Sequence, residues 1–164
     1  MKLYLKQQVL TLFDNYDVYD ENHMTAYKVH TRLYKLPSGF DIVSVTGDVI
    51  FTVARQFSLA SFFKRHYEIQ HNGITVADVE QRFSFFERAL DITTTTGDVF
   101  AVDGDYFAWN FTITKNGMPY ASINKVLLSW GDSYEIDVYD DRECAFATAL
   151  VVAIDDTFHD GRRR

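Results

Sequence analysis

The 164-residue sequence predicts a mainly β fold of the α+β class: a twelve-stranded closed antiparallel β-barrel enclosing one C-terminal hydrophobic α-helix. Three observations predict it. A two-part unit recurs along the chain, turn residues stand at a steady offset inside each copy, and one alanine-rich apolar segment breaks the pattern near the C-terminus.

The first part of the unit reads Tyr16-Asp17-Val18, Phe40-Asp41-Ile42, Tyr67-Glu68-Ile69, Leu90-Asp91-Ile92, Phe111-Thr112-Ile113 and Tyr134-Glu135-Ile136, with starts 21 to 27 residues apart. The second part begins at Leu5, Val29, Val53, Val79, Val102 and Ile123. Each copy is two strands, so the six copies give twelve, counting one over Lys2 to Phe13. Within strands apolar residues alternate, as in Val49, Phe51 and Val53 against Ile50, Thr52 and Ala54, so one face is drier. Between the strands of a copy stand Thr46-Gly47, Asn72-Gly73, Thr96-Gly97 and Asn116-Gly117. Asn-Gly between alternating apolar runs predicts a tight hairpin, because both central residues of a type I′ turn need positive φ.

After Val138 the pattern changes. Residues 141 to 157 are rich in alanine and hold neither glycine nor proline, which predicts a helix. Asp140, three residues before Glu143, resembles a capping box with Asp in the Ser/Thr place. From Cys144 to Ile154 only Thr148 interrupts the apolar side chains, Ala145, Phe146, Ala149, Leu150, Val152 and Ala153 among them, so the helix is dry on every face and belongs inside the fold. Twelve strands ~4.8 Å apart and tilted ~40° close into a cylinder of radius roughly 12 Å, which side chains alone do not fill and a helix ~10 to 12 Å across does.

Composition places the chain as one globular domain, residues 1 to 160, with a basic tail at 161 to 164. The apolar run is shorter than the ~20 residues a bilayer requires, so no transmembrane segment is expected. Nucleic acid is not an expected partner, because a net charge of −7 repels phosphate backbones. A single cysteine, Cys144, cannot form an internal disulfide, and Met1 to Leu10 alternate like a strand rather than forming a signal peptide. The expected setting is cytoplasmic, and Asn110-Phe111-Thr112 is then a chance glycosylation sequon.

The segments KQQVLTLFDNYDVYD, FAWNFTI, LLSWGDSYEIDV and AFATALVVAID resemble the LURP-one-related family of tubby-like proteins across nearly the whole chain. That resemblance implies a fold similar to the tubby C-terminal domain and the phospholipid scramblases, a twelve-stranded barrel around a C-terminal helix. It implies less about activity: plant members are associated with defence, and tubby domains bind phosphoinositides.

The sequence carries no P-loop, GxSxG, HExxH, paired CxxC or dinucleotide fingerprint, so neither an enzyme nor a cofactor is expected. Cys144 in the first helical turn would have a dipole-lowered pKa if reactive, but beside Ala-Phe-Ala it reads as a small buried hydrophobe. Asp137, Asp140 and Asp141, with Glu143, crowd the approach to the helix where scramblases carry a calcium-binding segment; capping is the simpler account, since no glycine turns a loop around an ion. Asp155 and His159 have a metal-compatible spacing without further ligands, and His66 and His71 flank one strand. Lys64, Arg65 and His66 form the internal basic run, a candidate lipid-headgroup contact for which a solvated loop is the simpler account given the overall negative charge. The Phe62-Phe63 and Phe85-Phe86 pairs are candidates for surface contact or for core.

The third position of the second repeat part holds Gln7, Thr31, Arg55, Gln81, Gly104 and Lys125. These share strand parity with apolar neighbours, so either bulges turn them outward or they form a polar belt at one barrel mouth facing Asp155 and Asp156. Bulges are the expected solution, because a buried unpaired Arg55 or Lys125 would be costly.

The function expected is that of a non-catalytic binding module whose partner, a protein or a lipid headgroup, meets the outer surface. The alternative is a scramblase-like, membrane-active protein whose terminal helix leaves the barrel and enters lipid.

Overall fold

A computed structural model describes residues 1–6, 15–32, 35–57, 64–83, 88–105, 108–129 and 131–159. Gln7, both phenylalanine pairs and the basic tail lie outside the described residues. Five hairpins run in chain order: β2 (Tyr16–Tyr19) with β3 (Thr25–Thr31), β4 (Gly39–Ser44) with β5 (Val49–Arg55), β6 (His66–His71) with β7 (Ile74–Phe83), β8 (Arg88–Thr94) with β9 (Val99–Asp105), and β10 (Asn110–Lys115) with β11 (Met118–Leu128). The sixth copy is split. Its strand β12 (Gly131–Val138) pairs with β11 on one side and with β1 (Lys2–Lys6) on the other, and β1 pairs with β2, so twelve antiparallel strands close on themselves.

The apolar parity read from the sequence is the inward face, except at Val49, which the sequence places on the dry side with Phe51 and Val53 and which the bulge at Ile50 turns out to solvent. Val18, Val29, Ile42, Val53, Ile69, Val79, Ile92, Ile113, Ile123 and Ile136 are fully buried around the axis. The carboxylates that alternate with them sit on the outer wall and are bonded there: Asp41 accepts from Arg32 Nη1 at 2.8 Å and from Thr52 Oγ1 at 2.7 Å, and Glu68 accepts from Thr75 Oγ1 at 2.9 Å. The acids in the middle of these units therefore lie on the outer side of the wall, where Asp41 is itself buried beneath its Arg32 and Thr52 partners.

The chain enters the interior through one turn of 3₁₀ helix, Asp141–Glu143, and continues as α1 (Cys144–His159). Only half of the expected capping box forms. Asp140 Oδ1 accepts from the Arg142 backbone N–H at 3.0 Å, but the Glu143 carboxylate accepts from Tyr120 Oη at 3.2 Å instead of turning back. From Ala147 to Ile154 every residue of α1 is buried. Ala145 and Phe146 are half-buried, because they stand where the helix passes the barrel mouth. The two buried threonine hydroxyls are satisfied within the helix, Thr148 donating to the Cys144 carbonyl at 2.8 Å and Thr157 to that of Ala153 at 2.7 Å.

Bulges occur, but at the end opposite to the one expected. The register slips after Val18, Ile42, Ile69 and Ile113, the same repeat position in four hairpins, leaving Ala26, Ile50, Val76 and Tyr120 as the extra residues beside the turns. The extra twist of a bulge lets a strand bend into a short connection and re-aims its side chain. Thr31, Arg55, Gln81, Gly104 and Lys125 lie instead on regular ladders at the far ends of their strands. Lys125 is exposed at the rim, and Arg55 reaches inward to the last turn of α1.

Candidate functional site

The barrel has two unlike ends. At the end where the hairpins turn, the chain passes from β12 into α1, and the Met1 amino group caps the junction by donating to the Val138 carbonyl at 2.8 Å and pairing with Asp141 at 2.7 Å. At the far end lie the connections that join one repeat copy to the next.

At the far end, Arg55 Nη2 and Tyr67 Oη both donate to Asp156 Oδ2. Asp156 is almost wholly buried, whereas Arg55 keeps about a quarter of its side chain exposed (2% and 24%), so the guanidinium lies at the mouth with its charge directed inward. Burial, reinforced by the Asp156 charge, pushes the Tyr67 hydroxyl well above its ordinary pKa. Tyr16 is displaced the same way by burial and by Asp155 and Asp156. The polar belt that the sequence offered as the alternative to bulges is thus realised at Arg55: the cation is stabilised by a partner supplied from the helix, a hundred residues away in the chain.

At the hairpin end, a cleft of about 390 Å³ opens beside the entry of α1. Phe51, Val76 and Phe146 give it an apolar floor, with the Phe51 ring 5.5 Å from Phe146 and 5.5 Å from His71. The bulge at Val76 turns that side chain toward the floor, and the bulge at Tyr120 brings its ring edge-on to Phe100 at 5.0 Å. The wall is the Thr94–Thr96 turn, where Thr94 and Thr96 hydroxyls lie 2.8 Å apart and Thr94 accepts from the Asp98 N–H at 2.9 Å. Lys115 pairs with Asp98 at 3.1 Å and lies over the Phe100 ring at 5.7 Å. Arg142 pairs with Asp140 at 2.7 Å, and that bond holds the Asp140 carboxyl down at about 2. The cleft is an apolar depression edged by hydroxyls and by charges already paired, a surface suited to contact.

The structure distributes the sequence-derived candidates rather than assembling them. Lys64 faces Glu80 at 3.8 Å and His66 bonds Asp78 at 2.9 Å, so two members of the basic run are each matched by a carboxylate of β7. Arg65 donates its backbone N–H to Gln81 at 3.4 Å. Of the three acids considered for calcium, Asp140 is held by Arg142, Asp141 by the N-terminus, and Asp137 stands on β12 opposite Lys2. Among the described residues no three His, Cys, Asp or Glu side chains converge as metal ligands. Cys144 is buried and burial pushes its thiol upward, the reverse of what a reactive nucleophile needs. The side chain of His159 lies outside the described residues, so the Asp155 and His159 pairing does too.

The cleft was not foreseen. Its lining comes from β5, β6, β7, the β8–β9 turn, β10 and α1, and no local pattern brings those segments together. The bulge positions were the available signal, since each follows the third residue of the first repeat part.

No described helix is long and apolar enough to cross a membrane. No solved structure matches the chain. An uncharacterised protein of Bacillus subtilis strain 168, YxjI, is 26% identical over 155 residues, which covers 94% of this chain and 92% of the relative. The profile of the LURP-one-related family matches residues 1–155, all of the strands and the helix as far as Asp155, and the chain belongs to the LURP-one-related family.

Proposed function

We propose that the protein is a non-catalytic binding module that meets a protein or a lipid headgroup through its outer surface and rims. One observation carries the reading: the space inside the wall is occupied by the chain's own helix, with Ala147, Ala149, Leu150 and Ala153 fully buried against the strands. A ligand chamber of the lipocalin kind has no room there, which leaves the rims and connections for recognition. The tubby-like and scramblase-like kinship suggested by sequence fits a module of this kind, and a single buried Cys144 suits a reducing compartment such as the cytoplasm.

Membrane insertion of the released helix is the competing reading, and two features of α1 weigh against it. Removing α1 would expose the inward face of every strand, and Asp156 would leave Arg55 and Tyr67 behind. Liposome flotation with neutral and anionic vesicles, combined with native mass spectrometry of the purified protein, tests the proposal. A bound protein or a salt-released headgroup supports it; salt-resistant flotation with both vesicle types overturns it.

A further inference from the structure

A large apolar side chain opens the returning strand of four hairpins, Val49, Ile74, Val99 and Met118, and in the fifth Met24 stands just before β3. All five are exposed, Ile74 at 71% and Met118 at 68%. Because every hairpin turns at the same end of the barrel, the repeat places these five side chains around one rim. Val45 on the β4–β5 turn and Tyr139 at the helix entry, also exposed, fill out the ring. Apolar residues scattered singly over a surface need no explanation, but one per hairpin at one end is not scatter. The cleft floored by Phe51, Val76 and Phe146 opens on this rim.

Charge narrows the occupant. The same rim carries Asp20, Glu21, Asp48, Asp98, Asp140 and Asp141, whereas Lys115, Arg142 and the Met1 amino group are each paired to one of those acids. The surplus is acidic. It repels an anionic bilayer and a second copy of this rim, and it attracts cations. Apart from Tyr139, the apolar members are Met, Val and Ile rather than the aromatic and basic residues that favour a lipid interface.

We propose, resting on the binding-module reading, that the hairpin end is a docking face for a cationic polypeptide segment. The apolar side chains of that segment cover the ring, one of them seats in the cleft, and its lysines or arginines meet the surrounding acids.

The three methionines of the chain, Met1, Met24 and Met118, all stand at this end, so methyl-¹³C methionine labelling reads the face directly. Three synthetic amphipathic helices of equal length, patterned Leu/Lys, Leu/Glu and Ser/Lys, serve as probes, with neutral and anionic vesicles alongside. The expected result is saturable movement of the Met24 and Met118 methyls with the Leu/Lys peptide, and binding about tenfold weaker or worse with the other two. Ile74→Lys with Met118→Lys, both at exposed tips, should weaken the Leu/Lys peptide about tenfold while leaving the thermal midpoint unchanged. The assignment is overturned if the methyls do not move, if Ser/Lys or Leu/Glu binds as well, or if vesicles displace the peptide. Leu/Lys binding with stationary methyls would remove this face yet leave a module that binds elsewhere; the native mass measurement decides the broader reading on its own.

Discussion

Arg55 at the end of β5 and Asp156 in the last turn of α1 form an ion pair that fastens the helix to the wall at the barrel's far mouth, with Tyr67 sharing the same carboxylate oxygen. At the other mouth the helix is fastened by Asp141 to the N-terminus and by Glu143 to Tyr120. The rod is tied at both ends and packed along its length.

Removing Asp156 takes away the carboxylate that both the Arg55 guanidinium and the Tyr67 hydroxyl meet at the far mouth. Asp156→Ala should destabilise by about 2 to 4 kcal/mol, somewhat under the ~3–5 of a fully buried pair because Arg55 retains some water contact. Arg55→Ala with Asp156→Ala should cost clearly less than the sum of the single changes, a coupling above about 1 kcal/mol by urea denaturation. Additive losses would show that the two groups do not act together.

Packing along the rod sets a second expectation. Leu150→Ala deletes atoms from a site with no exposure and should cost about 2 to 5 kcal/mol. Ala153→Leu adds bulk against the same wall and should cost about 1 to 3 kcal/mol, read from thermal or urea midpoints. A neutral Ala153→Leu would mean that slack exists between helix and barrel.

Two glycines with positive φ separate backbone strain from crowding. At Gly39 a Cβ would stand 1.9 Å from the Val53 carbonyl oxygen, whereas at Gly47 it meets nothing. Gly47→Ala therefore carries the left-handed backbone penalty alone, about 1 to 2 kcal/mol. Gly39→Ala should lose substantially more, because the β4–β5 ladder must part; equal midpoints for the two variants would refute this.

The alkaline limb of stability follows from buried acids whose pKa values rise on folding. Burial raises Cys144, Tyr16, Tyr67 and Tyr120 above their unfolded values. Such groups hold their protons more tightly when folded, so their contribution is complete below the unfolded values, about 8.5 for the thiol and 10 for the phenols, and is lost as pH rises beyond them. Asp140 has the opposite sign: lowered to about 2, it contributes above about pH 4 and ceases to do so as pH falls toward 2. Urea midpoints should be flat through neutrality and fall between about pH 9 and 11. A midpoint that climbs over that alkaline span would contradict the assignment.

Much of the architecture is legible in the sequence, for identifiable reasons. Alternation at Phe51 and Val53 has period two, Asn-Gly carries its own turn geometry, and the run from Ala145 to Ile154 is dry on all sides; each is a local signal, whereas the bulge that turns Val49 outward is not. The environment of Arg55 was not local. A buried cation is costly, which favours a bulge at Arg55, but the carboxylate that offsets the cost comes from the far end of the chain, and closure of the barrel is what joins them. The apolar tips beside the turns were visible as residues, yet their ring exists only once five hairpins share one rim.

Native-state hydrogen exchange along α1 tests the central claim most directly. The amides of Ala147 to Ile154 should exchange only through global unfolding, with the same free energy as those of β11 and β12, and neither neutral nor anionic vesicles should change that. Exchange of the helix ahead of the strands, or accelerated by either vesicle, would contradict an account in which the barrel is permanently filled by its own chain.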